Sequence, residues 1–334
     1  MNEQTTTLLH RLVTEKVVPG VSYAYLHQGQ LQTEVFGDAQ LVPTVEPLKK
    51  GALYDLASLT KVIGTTTVIL KLAEQGALKI DDPVAKYLPK FTDERVTLRH
   101  LLTHTSALSG YIKNRDELNA TELMAALYTL KPAAWLGKKV VYADIGLILL
   151  GQIIEQFYQY PVQQVITKEV LAPLNMSDAT FTPEKARCIP TELTAKRGLI
   201  KGVVHDPKAY VLKEHCGSAG LFASLADLVT FAKWMLAPEK NTAVLQPQTI
   251  ANLFADQTPT KTLKRSLGWD LRYDSTNTPC LYHTGFTGTF MLLDQKGQNA
   301  LIVLSNRVHP IADNEEFLVR RDEIVASYLS EKDQ

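Results

Sequence analysis

The sequence predicts an α+β protein: one antiparallel sheet built from both chain ends, flanked by terminal helices, with a mainly helical lobe inserted between. Three observations carry this. Strand-like runs occur near both termini. From Ser58 to about Met176 the apolar residues fall at helical spacing instead. Amphipathic helical runs occupy the two extremes, Thr6 to Val17 and Glu315 to Leu329. The corresponding division puts 1–57 and 200–334 in a sheet domain and 58–199 in a helical domain, together one functional unit. A chain of 334 residues exceeds most single cores, which fits two lobes.

Taken in order, the first helix ends before Pro19-Gly20. Val21 to His27 and Leu31 to Phe36 then read as a hairpin around Gln28-Gly29-Gln30. A proline-containing connection, Asp38 to Gly51, leads to a helix expected from Ala57 to Gln75, stopped by Gly76. Further helices are expected over Thr97–Leu102, Ala120–Leu130, Ile145–Phe157 and Val162–Leu171, the last opened by Pro161. Phe181 to Glu214 shows no clear period and reads as a long connecting segment. Ser224 caps a helix running to Leu236, and Pro247 to Phe254 gives one more. Gly268–Tyr273, Leu281–Gly285, Thr289–Asp294 and Asn299–Ser305 complete the strands.

Composition excludes several function classes. Lys+Arg 35 equals Asp+Glu 35, so no net charge favours nucleic acid or an anionic membrane. No apolar run of about 18 residues exists, so no membrane span is expected. Met1 to His10 lacks a basic stretch leading into an apolar core, and a cytoplasmic location is the expectation. Cys188, Cys216 and Cys280 are too scattered for a disulfide framework or a zinc site. The histidines near Asp206 and Cys216 lack metal-ligand spacing; no metal and no cofactor is expected.

The chemistry concentrates at element ends. Ser58-Leu59-Thr60-Lys61 opens the first lobe helix, so Ser58 and Lys61, three apart, share one helix face. A serine hydroxyl becomes a nucleophile when a base takes its proton, and a lysine amine can be that base. The spacing alone is common by chance. Two further groups raise its specificity: Tyr142-Ala143-Asp144 before a lobe helix, and His283-Thr284-Gly285 late in the sheet. A phenol can relay a proton to a leaving group. A glycine-flanked strand lets substrate lie against backbone.

These three motifs, in this order, resemble those of the serine β-lactamase and penicillin-binding-protein superfamily, in its class C-like, esterase-like branch. That family carries serine-x-x-lysine, tyrosine-x-asparagine and lysine- or histidine-threonine-glycine motifs. Leu101–Ser106, Val204–Ala209 and Gly217–Ser224 extend the likeness, which runs from about Pro19 to the C-terminus. The resemblance implies a β-lactamase-like fold and a serine acyl hydrolase with a small-molecule acyl substrate. Ser58 would form an acyl-enzyme, with Lys61 and Tyr142 as base and acid. The oxyanion hole would be the backbone N–H groups of Ser58 and Phe286. Asp144, His283, Thr284, Gly285 and Tyr111, in a loop expected over the site, would contact substrate.

Two departures shape the expected substrate. Asp144 replaces asparagine; a carboxylate only accepts hydrogen bonds. It either pairs with Lys61 and raises that lysine's pKa, meets a substrate amine, or caps the helix at Ile145. His283 replaces lysine, and an unperturbed imidazole is mostly uncharged at neutral pH. A permanent cation for a substrate carboxylate is then missing, which favours esters or D-amino-acid esters and amides. The alternatives are a β-lactamase or D-Ala-D-Ala carboxypeptidase, against which the lack of a leader weighs, and a non-catalytic binding protein retaining the fold.

Overall fold

The two ends of the chain meet in the middle of one sheet. Strand β1 (Gly20–His27) pairs with β2 (Gln30–Gln40) on one side. On its other side it pairs with the last strand, β11 (Asn299–Ser305), Val21 opposite Ser305 and His27 opposite Asn299. With β3 (Glu46–Pro47), β8 (Asp270–Tyr273), β9 (Pro279–Thr284) and β10 (Phe290–Asp294), the seven-stranded order is β3-β2-β1-β11-β10-β9-β8. Every pairing in it is antiparallel. Short strands β4 (Tyr54–Asp55) and β7 (Phe222–Ala223) pair apart from it, as do β5 (Leu193–Thr194) and β6 (Gly198–Leu199). The structure is a computed structural model, and it describes residues 2–108, 112 and 115–332. This is the architecture expected from the sequence.

Local chemistry explains the joints. The β1–β2 turn places Gln28 at φ 47° and Gly29 at φ 88°, the two left-handed positions of a tight hairpin turn. Along β11, Ala300, Ile302 and Leu304 face the helical lobe, while Leu301 and Val303 face the terminal helices. Both sides are buried, so the strand is apolar throughout rather than alternating.

The outer face is covered by α1 (Glu3–Thr14) and α11 (Glu315–Glu331), through Leu9, Leu12, Phe317, Ile324 and Tyr328. On the lobe side lie α2 (Thr66–Glu74), α3 (Val84–Tyr87), α4 (Leu98–Leu102), α5 (Ala120–Tyr128), α6 (Ile145–Tyr158), α7 (Val162–Ile166), α8 (Pro207–Leu212), α9 (Leu225–Leu236) and α10 (Pro247–Leu253). Helix α9, capped reciprocally by Ser224 and Asp227, packs against β1, β10 and β11. Helix α6 is buried on nearly all sides and forms the lobe's centre.

Three expectations on element boundaries change. The helix expected from Ala57 begins later: Ser58 lies in a turn, followed by a π-helical turn Lys61–Thr65 and then α2. The helix expected over Val162–Leu171 is α7 followed by a second π turn, Thr167–Leu171. The segment 181–214 is not structureless. It holds β5, β6 and α8, whose Asp206 caps the Ala209 N–H at 2.8 Å with Pro207 at the first position. Six residues are too few to display a helical period.

Candidate active site

Strand β4 delivers the nucleophile segment. The buried Asp55 carboxylate accepts the Ala57 N–H at 2.9 Å and the His205 N–H at 2.7 Å. Ala57 is thereby held at φ 45°, a left-handed conformation that costs an alanine about 1 kcal/mol. That bend puts Ser58, partly exposed, at the entrance to the helix. The Lys61 N–H donates to the Ser58 carbonyl at 3.0 Å, so the lysine folds back over its own turn.

Lys61 is only 1% exposed. Its Nζ lies 2.6 Å from Ser58 Oγ, 2.8 Å from the Ser218 carbonyl and 2.8 Å from Asp144 Oδ1. Carbonyl and carboxylate only accept, so they take two of its hydrogens. The third position faces Ser58. Burial works against the ammonium, but Asp144 and then Tyr142 outweigh it and hold the lysine above its usual pKa. Of the three roles open to Asp144, pairing with Lys61 is the one observed. Its side chain makes no cap bond to α6. Its second oxygen, Oδ2, lies 2.9 Å from Lys208 Nζ on α8. Burial opposes the carboxylate, yet Lys61 and Lys208 hold Asp144 well below the usual carboxylate range.

Tyr142 stands at the open side of this cluster, 47% exposed. Its ring centre lies 5.3 Å from Lys61 Nζ and 5.9 Å from the Arg265 guanidinium carbon. The rings of His104 and His283 lie 4.5 and 6.1 Å from it. His104 Nδ1 accepts the Ala143 N–H at 3.2 Å, which fixes the motif backbone. His283 Nδ1 lies 3.0 Å from the Thr284 carbonyl, so that nitrogen carries the hydrogen. Both rings are buried, and burial followed by the Arg265 charge pushes each well below the usual histidine pKa. His283 is therefore neutral, but a cation is not missing from its surroundings: Arg265 supplies one. Arg265 is buried, and its nearest carboxylate oxygen, on Asp270, is 3.9 Å away.

The turn after β9 closes the site from the sheet side. Thr287 and Thr289 donate to the carbonyls of Asp55 and Leu56 at 2.7 and 3.2 Å. A Cβ on Gly285 would lie 2.5 Å from the Leu56 carbonyl, so only glycine allows this approach. Among the described residues, neither the Ser58 nor the Phe286 N–H donates to a protein acceptor. The Phe286 carbonyl accepts from Arg307 Nε at 2.8 Å. Its ring is held between the His205 ring at 5.5 Å and the Arg307 guanidinium at 4.7 Å. Thr284, partly exposed, ends β9. Tyr111 lies outside the described residues.

Sequence reading thus placed Ser58, Lys61, Tyr142, Asp144, His283 and the Gly285–Phe286 turn in what is one cluster. It passed over Lys208, the Ser218 carbonyl and Arg265 as site residues. Lys208 belongs to a noted segment, Val204–Ala209, but no local pattern links it to Asp144. The described residues bring together one set of metal-ligand type, Asp274, Cys280 and Asp294, remote in the sheet. The Lys332 ammonium already lies 2.9 and 2.8 Å from its two carboxylates.

The comparisons with known proteins bear on the family and the fold. The family model described as Beta-lactamase matches residues 6–325. An Escherichia coli K12 protein named "Putative D-alanyl-D-alanine carboxypeptidase" is 28% identical over 321 residues, covering 80% of this chain and 73% of its own. A solved class C β-lactamase superposes with a TM-score of 0.78 at 20% identity, covering 99% of this chain and 96% of its own. EstCE1, described as a hydrolase with promiscuous acyltransferase activity, gives 0.77 at 18% identity, with 97% and 98% covered. At these identities the superpositions speak for the fold.

Proposed function

The chain belongs to the Beta-lactamase family, and from that premise we propose that it is a serine acyl hydrolase acting through an acyl-enzyme on Ser58. The observation that carries this is Lys61 Nζ, 2.6 Å from Ser58 Oγ with its other two hydrogens committed to acceptors. In the resting state Lys61 is an ammonium donating to Ser58 Oγ. Having no lone pair, it does not accept the serine proton. Tyr142 accepts it as a phenolate, whose negative charge is stabilised by the Lys61 ammonium and the Arg265 guanidinium facing its ring.

The steps balance as follows. Ser58 Oγ bonds to the substrate carbonyl carbon while its proton passes to the Tyr142 phenolate, which becomes the neutral phenol. The Ser58 and Phe286 N–H groups receive the oxyanion. The bond to the leaving group breaks, and Tyr142 returns the proton to the departing oxygen or nitrogen. Water then attacks the ester carbonyl, Tyr142 takes its proton, and Ser58 leaves with it.

The substrates proposed are esters and D-amino-acid esters or amides, supported by the neutral His283 near the end of β9. A D,D-carboxypeptidase reading has its own support in the buried Arg265 beside His283 and in the name of the E. coli relative. A panel of nitrophenyl esters, D-alanine amide, a D-Ala-D-Ala peptide and nitrocefin separates the two. Ester turnover that Ser58→Ala lowers about a thousandfold or more supports the first reading. Nitrocefin or peptide turnover without ester turnover overturns it.

A further inference from the structure

Asp144 is divided between two cations. Lys61 takes Oδ1 at 2.8 Å and Lys208 takes Oδ2 at 2.9 Å. Lys208 is nearly buried, its side chain 12% exposed, so solvent screens the contact weakly. It arrives on α8, more than sixty residues along the chain from Asp144, and its remaining carboxylate partner is Asp206 at 3.1 Å. Asp206 is itself occupied in capping the Ala209 N–H.

Resting on the hydrolase reading above, we propose that Lys208 is a positioning residue for acyl transfer: it takes up the charge of Asp144 that would otherwise fall on Lys61 alone. The charges around the nucleophile make the case. Lys61, Lys208 and Arg265 set against Asp144 and Asp206 leave one positive charge, which is lost without Lys208. Tyr142 must carry negative charge before it can take the serine proton, and the substrate carbonyl gains it as the bond forms. Both arise more easily in a cleft that is net positive. The other groups facing the cluster are His104 at the end of α4, His283 on β9 and Arg265 before β8. The two histidines are neutral, and the Arg265 guanidinium carbon lies 5.9 Å from the Tyr142 ring centre. Lys208 pairs with the second oxygen of Asp144, the one not held by Lys61. With it in place Asp144 acts on Lys61 much as a neutral amide would. Without it the carboxylate draws the ammonium away from Ser58 and opposes each developing negative charge.

A salt bridge that merely held α8 in place would act independently of the charge on Asp144. A double-mutant cycle on nitrophenyl ester hydrolysis tells the two apart. Lys208→Met is expected to lower kcat/KM about tenfold or more beside Asp144, and less than about threefold in the Asp144→Asn background. The acid limb of the kcat/KM profile should move to higher pH in Lys208→Met and return in the double variant. Lys208→Arg should stay within about threefold of wild type. Should Lys208→Met not fold, Lys208→Gln, which removes the charge and keeps polar contacts, carries the same thresholds. Equal losses in both backgrounds, or no loss beside Asp144, overturn the proposal. If instead wild-type hydrolysis survives Ser58→Ala, the hydrolase reading itself has failed.

Discussion

Lys61 has three hydrogens, and its chemistry follows from what its partners Ser58, Ser218, Asp144 and Tyr142 can accept. Asp144 holds the ammonium, so removing that charge lowers the lysine's pKa. In Asp144→Asn the alkaline fall of kcat/KM, which marks loss of the ammonium, is expected at lower pH than in wild type. Tyr142→Phe, which keeps the ring and removes the relay oxygen, should lower kcat about a hundredfold or more, with KM little changed. Stopped-flow or plate kinetics over a pH series read both. Of these residues, Ser58, Lys61, Tyr142, Asp144 and His283 were legible in sequence because each sits in a short motif. Lys208 and Arg265 were not. Lys208 comes from α8 and Arg265 from the segment before β8, and their contacts join positions with no local relation.

The elements repeat this division between local and tertiary information. Helix α9 was legible to its ends because its signal is local: Ser224 and Asp227 cap each other's backbone. Ser224→Ala is expected to cost about 1 kcal/mol, read as a lower urea midpoint at unchanged slope. The start of the nucleophile helix was misplaced because its bend is set from outside, by the Asp55 carboxylate and the β4–β7 pairing. The end of α11 depends equally on distant partners. Lys332 lies between the buried carboxylates of Asp274 and Asp294, while Glu331 accepts the Gln4 and Thr5 N–H groups at 2.9 Å. Lys332→Met strands two buried carboxylates and should destabilise the fold by about 3 kcal/mol or more in urea. The sign with pH follows from Asp274. Burial raises its pKa, but the Lys332 ammonium together with the Thr278 N–H and the Thr276 hydroxyl outweighs burial and brings it down to about 2. A lowered folded pKa contributes stability above the unfolded value of about 3.9, lost as pH falls through the folded one. Lys332→Met should therefore flatten the acid side of the stability profile between those values.

Across the whole molecule, the sheet joins both chain ends and the lobe packs on its inner face, so the site forms where the two meet. Ser58, Lys61, Tyr142 and Asp144 come from the lobe side; His283, Gly285 and Phe286 come from the sheet. No one of these groups suffices: the nucleophile needs the turn after β9, and that turn is fixed by bonds to Asp55 and Leu56. The α+β layout was readable because strand patterns lie at the chain ends and helical periods lie between. The meeting of the motifs was readable only as an order along the chain, and the distances needed the fold. The identity of the acyl group is a matter for the substrate panel, but the covalent step has a direct measurement. Protein quenched in acid during turnover of a slow nitrophenyl ester should gain the mass of the acyl group, and peptide mapping should place it on Ser58. Wild-type protein that turns over the ester with no acyl adduct on Ser58, or Ser58→Ala protein that acylates equally well, would contradict the mechanism.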